Sequence, residues 1–180
     1  MSNLINSEKS NLSPSQRKLV RTPEFKAWFG DWENDVVNAS RAIDTNGEPL
    51  VFLHGTKNRY NIFDTDNLKT GWSGKGLYFT TNKKLAKSYG KINLQVFLNI
   101  RKPFLVKGNS PNDFLSEMID KFDDVDVFNT SEILTQNAYD GIFFNHWEFG
   151  DISTCFKSNQ IKLADGTNYL FNLNSDDIRF

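Results

Sequence analysis

The sequence predicts an α+β fold on a largely antiparallel sheet, and three observations carry that prediction. Short apolar stretches of strand character outnumber helical ones, and long loops separate them. KINLQVFLNI, residues 91–100, alternates apolar side chains at Leu94, Val96, Leu98 and Ile100, the period of a half-buried strand. Asn46-Gly47 between two apolar stretches marks a tight hairpin turn, and hairpins join antiparallel neighbours.

Residues 1 to about 12 are polar and expected to fray. Ser13-Pro14 then has the form of a helix start, a capping hydroxyl followed by proline in the first turn. Thr22-Pro23-Glu24 opens a second helix with Phe25, Trp28 and Phe29 on one face, and Gly30 suits its end. After Asn46-Gly47 the run from Leu50 to Leu53 is expected to be a strand ending at His54. GLYFT, residues 76–80, reads as another strand, and Asn82 caps a helix that runs to Tyr89 and stops at Gly90. The strand of residues 91–100 follows. Ser110-Pro111 opens a helix that turns Phe114, Met118 and Phe122 inward, and Ser131 opens a shorter one. YDGIFF and STCFKSNQIKLA supply the last strands, and the tail after Gly166 is mostly loop. We divide the chain into an arm and helix over residues 1–21 and a single domain over 22–180.

Composition narrows the function. The chain has 180 residues with 38% hydrophobic and 14% aromatic, enough to bury a core and too aromatic for a disordered chain. Twenty-one basic residues against 22 acidic ones leave no overall pull toward nucleic acid or an anionic membrane. Cys155 is the single cysteine, which excludes an internal disulfide, and two histidines are too few for a typical zinc site, so no metal is expected. MSNLINSEKS is too polar for a signal peptide, and no apolar run is long enough to span a membrane. The expectation is a cytoplasmic protein with no membrane partner, monomeric rather than oligomeric.

GWSGKGLYFT, residues 71–80, invites a phosphate-loop reading, and its spacing rejects it. Gly76 stands where a Walker loop needs Ser or Thr after the lysine, and Phe79 stands where a dinucleotide fingerprint needs its third glycine. What remains is glycine followed by aromatics on a strand, which by itself suits a core strand as well as a ligand site. Upstream, LHGT ends a strand with a histidine, a glycine and a hydroxyl residue. A histidine at a strand end, taken singly, is more often structural than catalytic. Together with Gly55 and two downstream tyrosines, His54 makes a more specific set that suits nicotinamide. Backbone groups would meet the carboxamide, rings would stack on the pyridinium, and imidazole would hold a ribose hydroxyl.

The ordered series HGT (54–56), GKGLYFT (74–80) and AKSYG (86–90) resembles the ADP-ribosyltransferases of the His-Tyr-Glu type, the group of diphtheria toxin and the poly(ADP-ribose) polymerases. Tyr78 and Tyr89 stand eleven residues apart, as the ring-sandwiching tyrosines of the polymerase branch do. FKAWFGDW, IDTNGEPLVFLHGT, FDTD, YDGI, the F-x-x-x-QIK of residues 156–162 and SDDIRF extend the likeness to the ADP-ribosyltransferase domains of phage and mobile-element polyvalent proteins. The resemblance runs from about residue 22 to the C-terminus. It implies a split, mostly antiparallel sheet with flanking helices, NAD as co-substrate, and a catalytic group of His54, Tyr78 and Gln160. It further implies NAD contacts from Gly55, Thr56, Gly76, Phe79, Thr80 and Tyr89.

Glutamate is the family's residue at the third position, and the match in FKSNQIK is Gln160. The nicotinamide–ribose bond breaks through an oxocarbenium-like state that a carboxylate opposes and an amide does not. Glutamine there is expected to lower the rate and to favour a single transfer over chain elongation. Glu148 or Asp151 would supply the carboxylate from a loop, or would be solvated loop charges. His146 and Trp147 would face an acceptor, or would end the YDGIFF strand. The expected activity is mono-ADP-ribosyl transfer to a macromolecule, a protein before a nucleic acid, by an effector acting on a host component. An NAD glycohydrolase and a non-catalytic NAD or ADP-ribose binding module are the alternatives.

Overall fold

The computed structural model describes residues 4–5, 8–66, 68, 70–146 and 148–180. Leu4–Ile5 (β1) pairs with Glu8–Lys9 (β2). The segment expected to fray is anchored from Ser10 onward. Ser10 Oγ donates to the buried Glu48 carboxylate at 2.5 Å, and the Asn11 amide bonds Asp44 and the Val51 N–H. Pro14–Leu19 (α1) is closed by a Ser13–Gln16 capping box, and Pro23–Phe29 (α2) by the Thr22 hydroxyl. The Gln16 amide donates to the Ala164 carbonyl at 2.6 Å, and Leu12 and Val20 enter the same core as α2.

The strand expected at Leu50–Leu53 lies two residues further on. Phe52–Thr56 (β3) carries His54 in its middle, because the turn over Asp44–Gly47 closes on a separate Ile43–Pro49 bridge. A small hairpin follows, Thr70–Gly71 (β4) and Gly74–Lys75 (β5), then Leu77–Thr80 (β6). Asn82 caps Lys83–Tyr89 (α3), which leads into Ile92–Leu98 (β7). Pro103–Leu105 (β8) has no counterpart in the sequence reading. Pro111–Lys121 (α4) begins with a Ser110–Asp113 capping box, and Thr130–Gln136 (α5) starts one residue before Ser131. Gly141–His146 (β9), Gly150–Cys155 (β10) and Ile161–Leu163 (β11) complete the elements.

Seven strands form one sheet in the order β11-β7-β3-β6-β10-β9-β8, antiparallel at every step except β8 with β9. The class is α+β, as the sequence predicts. The ladder between β3 and β6 consists of Leu53 opposite Thr80 alone, so the sheet forks there into two halves. One core joins α1 and α2 to the β11-β7-β3 half, with Phe25 packed on Phe97 and Phe171. This is why Phe97 is fully buried in a strand whose alternation predicts only one covered face. A second core of Phe104, Phe114, Met118, Leu134 and Ile152 holds α4 and α5 against the other half.

Candidate active site

The fork brings His54 and Tyr78 together. His54 Nδ1 lies 2.8 Å from the Tyr78 carbonyl oxygen. A carbonyl only accepts, so Nδ1 carries the hydrogen and Nε2 is the acceptor. The Tyr60 hydroxyl donates to Nε2 at 2.6 Å. Phe63 and Phe79 pack on the imidazole with ring centroids at 5.0 and 5.4 Å. Burial pushes the His54 pKa below its ordinary value, against the pull of the Tyr78 carbonyl, and keeps the ring neutral at neutral pH. Tyr60 is the residue sequence reasoning misses. It stands in NRYNIFDTD, six residues past His54, where nothing in the spacing sets it apart from other loop tyrosines.

Tyr78 is anchored at its hydroxyl end. Its Oη donates to the Gly74 carbonyl at 2.5 Å and accepts from Ser73 Oγ at 3.2 Å. The hydroxyl end of its ring packs against Gly71, where a Cβ would come within 2.4 Å of Cζ. Burial raises its pKa, against hydrogen bonds from Ser73 that lower it, and Tyr89 adds a small upward push. Two close approaches set the position of Tyr89 at the end of α3. A Cβ on Gly55 would stand 1.7 Å from the Ala86 carbonyl, and one on Gly90 would stand 2.1 Å from the Thr56 carbonyl. Only glycine lets α3 lie this tightly on β3. Tyr89 itself remains 67% exposed, a ring free to meet a ligand. Thr56 Oγ1 donates to the Asn58 carbonyl at 3.0 Å.

Other residues named from the sequence have structural duties. Gly76 makes room for the Thr154 methyl, which would stand 2.2 Å from a Cβ, so its missing side chain serves strand packing. Phe79 is buried beneath His54, and Thr80 Oγ1 accepts from the Asn82 N–H before α3. His146 Nδ1 accepts from the Glu148 and Phe149 N–H groups and the ring stacks on Phe149, which closes the β9–β10 hairpin. Glu148 is exposed at that tip. Asp151 accepts from the Asn145 amide at 2.7 Å. Trp147 lies outside the described residues.

Gln160 lies at a different place in the sheet. It follows β10 in a short 3-10 turn over Ser158–Gln160, beside the end of β7 at Asn99. His54 pairs with Leu94 on that strand, five residues away, or about 16 Å at ~3.3 Å per residue. The Gln160 amide is also consumed. Oε1 accepts from the Phe156 and Lys157 N–H groups, and Nε2 donates to the Asn99 and Asp140 carbonyls. It lines a cleft of about 380 Å³ with Arg101, Tyr139 and Phe156, apart from His54. The strand that does run beside Tyr78 is β10. There Thr154 stands opposite Tyr78 and Ile152 opposite Thr80, and neither carries a charge. No cluster of three or more His, Cys, Asp or Glu able to hold a metal occurs among the described residues.

A family model described as ADP-ribosyltransferase in polyvalent proteins matches residues 44–171, well over half of the chain and all of this fork. The chain belongs to that family. No curated protein matches the sequence. Among solved structures, the crystal structure of an anti-CRISPR protein is 14% identical, with a TM-score of 0.40 over 63% of this chain and 93% of that one. Membership in the ADP-ribosyltransferase family makes NAD the general co-substrate and a macromolecule the general acceptor. No described helix is long and apolar enough to cross a membrane.

Proposed function

We propose that this ADP-ribosyltransferase is a mono-ADP-ribosyltransferase that binds NAD at the fork between β3 and β6. The observation that carries the reading is the fixing of His54 on the Tyr78 carbonyl, with α3 packed on β3 at Gly55 and Gly90 and ending in the exposed Tyr89. In it, the nicotinamide ring lies between Tyr78 and Tyr89, and the Gly55 backbone meets the carboxamide. The polar group at His54 holds a ribose hydroxyl. Stacking of this kind adds roughly 0.5–1.5 kcal/mol beyond burial and orients the ring more than it tightens binding.

The uncharged β10 positions bear on the chemistry. The β10 residues opposite Tyr78 and Thr80 carry no carboxylate to oppose the positive charge that develops as the glycosidic bond breaks, so turnover is slow and one unit is transferred. The acceptor is a macromolecule, a protein before a nucleic acid, and the setting is an effector of a phage or mobile element working as a monomer in a host cytoplasm. The same lack of charge favours a second reading, an NAD or ADP-ribose binding module without transfer.

Incubation with labelled NAD, with and without a host-cell lysate, separates the readings. Transfer labels a band in the lysate. Hydrolysis releases nicotinamide with no labelled band, and a binding module raises Tm with NAD and does neither. Tyr78→Ala is expected to abolish label transfer while leaving the circular dichroism spectrum unchanged. Full transfer by that variant removes the site assignment.

A further inference from the structure

We propose that Tyr60, and not His54 directly, presents the hydrogen-bonding atom to the ribose of NAD, with His54 acting as the positioning residue behind it. The inference rests on the reading of the fork as an NAD site.

Both nitrogens of His54 are already in use. Nδ1–H points at the Tyr78 carbonyl at 2.8 Å, and Nε2 holds the Tyr60 hydroxyl at 2.6 Å. The ring between them is packed by Phe63 at 5.0 Å and Phe79 at 5.4 Å. A ligand hydroxyl reaching this imidazole meets Tyr60 Oη first. Displacing Tyr60 would break a short hydrogen bond and pull its ring from Phe63, against which it stands edge-on at 5.0 Å.

Tyr60 Oη is suited to the role it takes instead. Its hydrogen is committed to Nε2, so its lone pairs face outward as acceptors. Donation to the imidazole makes that oxygen more electron-rich and a better acceptor, as hydrogen bonds in a chain polarise one another. Tyr60 is only half-buried, so part of its surface is left open to a ligand. The chain then runs from ribose O–H to Tyr60 Oη, from Tyr60 O–H to His54 Nε2, and from His54 Nδ1–H to the Tyr78 carbonyl. His54 sets the direction of the Tyr60 proton, and Tyr60 reads the sugar.

The test pairs a protein change with a ligand change. Dissociation constants are measured by calorimetry for NAD and for its 2′-deoxy and 3′-deoxy adenosine-ribose analogues, with wild-type protein and with Tyr60→Phe. The phenylalanine keeps the ring packing and removes only Oη. Wild-type protein is expected to bind one deoxy analogue about fivefold more weakly than NAD, the loss of one neutral hydrogen bond. Tyr60→Phe is expected to bind NAD about fivefold more weakly and to treat that analogue and NAD alike within twofold. A merely structural Tyr60 would weaken all three ligands together and leave the discrimination unchanged. That result overturns the proposal, as does tighter NAD binding by Tyr60→Phe, which would mean that the hydroxyl blocks His54. Equal binding of all three ligands by wild-type protein also overturns it. Failure of wild-type protein to bind NAD at all is a different result and removes the reading of the fork itself.

Discussion

Gln160 uses every hydrogen-bonding position of its amide on backbone groups, two N–H donors on one side and two carbonyls on the other. A substitution there therefore acts through stability. Gln160→Glu keeps the two accepted bonds and turns its second carboxylate oxygen toward the Asn99 and Asp140 carbonyls. It is expected to destabilise the fold by about 2–3 kcal/mol in denaturant unfolding. Nicotinamide release per folded molecule should not increase, and an increase would return Gln160 to the reaction centre. Ser153 gives the opposite case. Its hydroxyl is fully buried opposite Phe79 and Phe143 with no hydrogen-bond partner among the described residues. Ser153→Ala removes an unpaired polar atom and should raise stability by about 1 kcal/mol. A lower Tm would reveal a partner for that oxygen. These residues show what a sequence motif conveys. HGT and GLYFT are short, and their residues meet across neighbouring strands. FKSNQIK follows a strand by a tight turn, and only the course of that turn tells that its glutamine ends beside Asn99. Tyr60 gave no signal, because a loop tyrosine becomes distinctive only when an imidazole acceptor is found beside it.

At the scale of elements, α3 is the part that completes the fork. It is held on β3 by the absence of side chains at Gly55 and Gly90, and its last residue is Tyr89. Gly55→Ala drives a methyl group into the Ala86 carbonyl, backbone that cannot rotate away. We expect a loss of about 1–3 kcal/mol, the range of overpacked cores, together with loss of NAD binding as Tyr89 shifts. Gly166→Ala is the matched control. Nothing lies within 4 Å of its Cβ position, and its φ of +89° makes the substitution a local strain only. It should lower stability by about 1–2 kcal/mol and leave NAD affinity unchanged. Calorimetry on the two variants separates a packing effect on the site from a general loss of stability. Helix starts are legible in the sequence because their causes are local. Ser13, Thr22, Asn82 and Ser110 each bond an N–H group two or three residues downstream. β8 is illegible for the converse reason. Its three residues exist as a strand only because β9, nearly forty residues later, runs parallel beside them.

The whole molecule is closed by a segment that has almost no regular structure. The tail beyond Gly166 reads as loop in the sequence and is loop, yet Phe171 is 2% and Ile178 1% exposed, and Phe171 completes the aromatic cluster around Phe25 and Trp28. Burial at this scale depends on what the rest of the chain leaves uncovered, which no local pattern records. Lys162 on β11 pins the tail in place. Its side chain is fully buried, and Nζ donates to the Ser175 and Asp177 carbonyls at 2.7 and 2.9 Å. Burial pulls its pKa from 10.5 to about 8, although Asp177 and Asp176 work in the other direction. Between those values the unfolded chain holds a proton that the folded protein has released. Folding stability from this group therefore rises as pH increases from about 8 to 10.5, and is flat below that window, where both states are charged. The slope approaches roughly 1.4 kcal/mol per pH unit at most. Tyr60 and Tyr78 act in the reverse sense at the alkaline edge, because burial raises their pKa and folding then keeps protons that the unfolded chain loses. The comparison that isolates Lys162 is wild-type protein against Lys162→Met, unfolded in denaturant at intervals from pH 7 to 10.5. The stability of wild-type protein relative to the variant should climb across that range. A difference that stays level with pH would mean that Lys162 keeps its proton in the folded protein, and that the two tail carbonyls hold an ammonium ion at every pH tested.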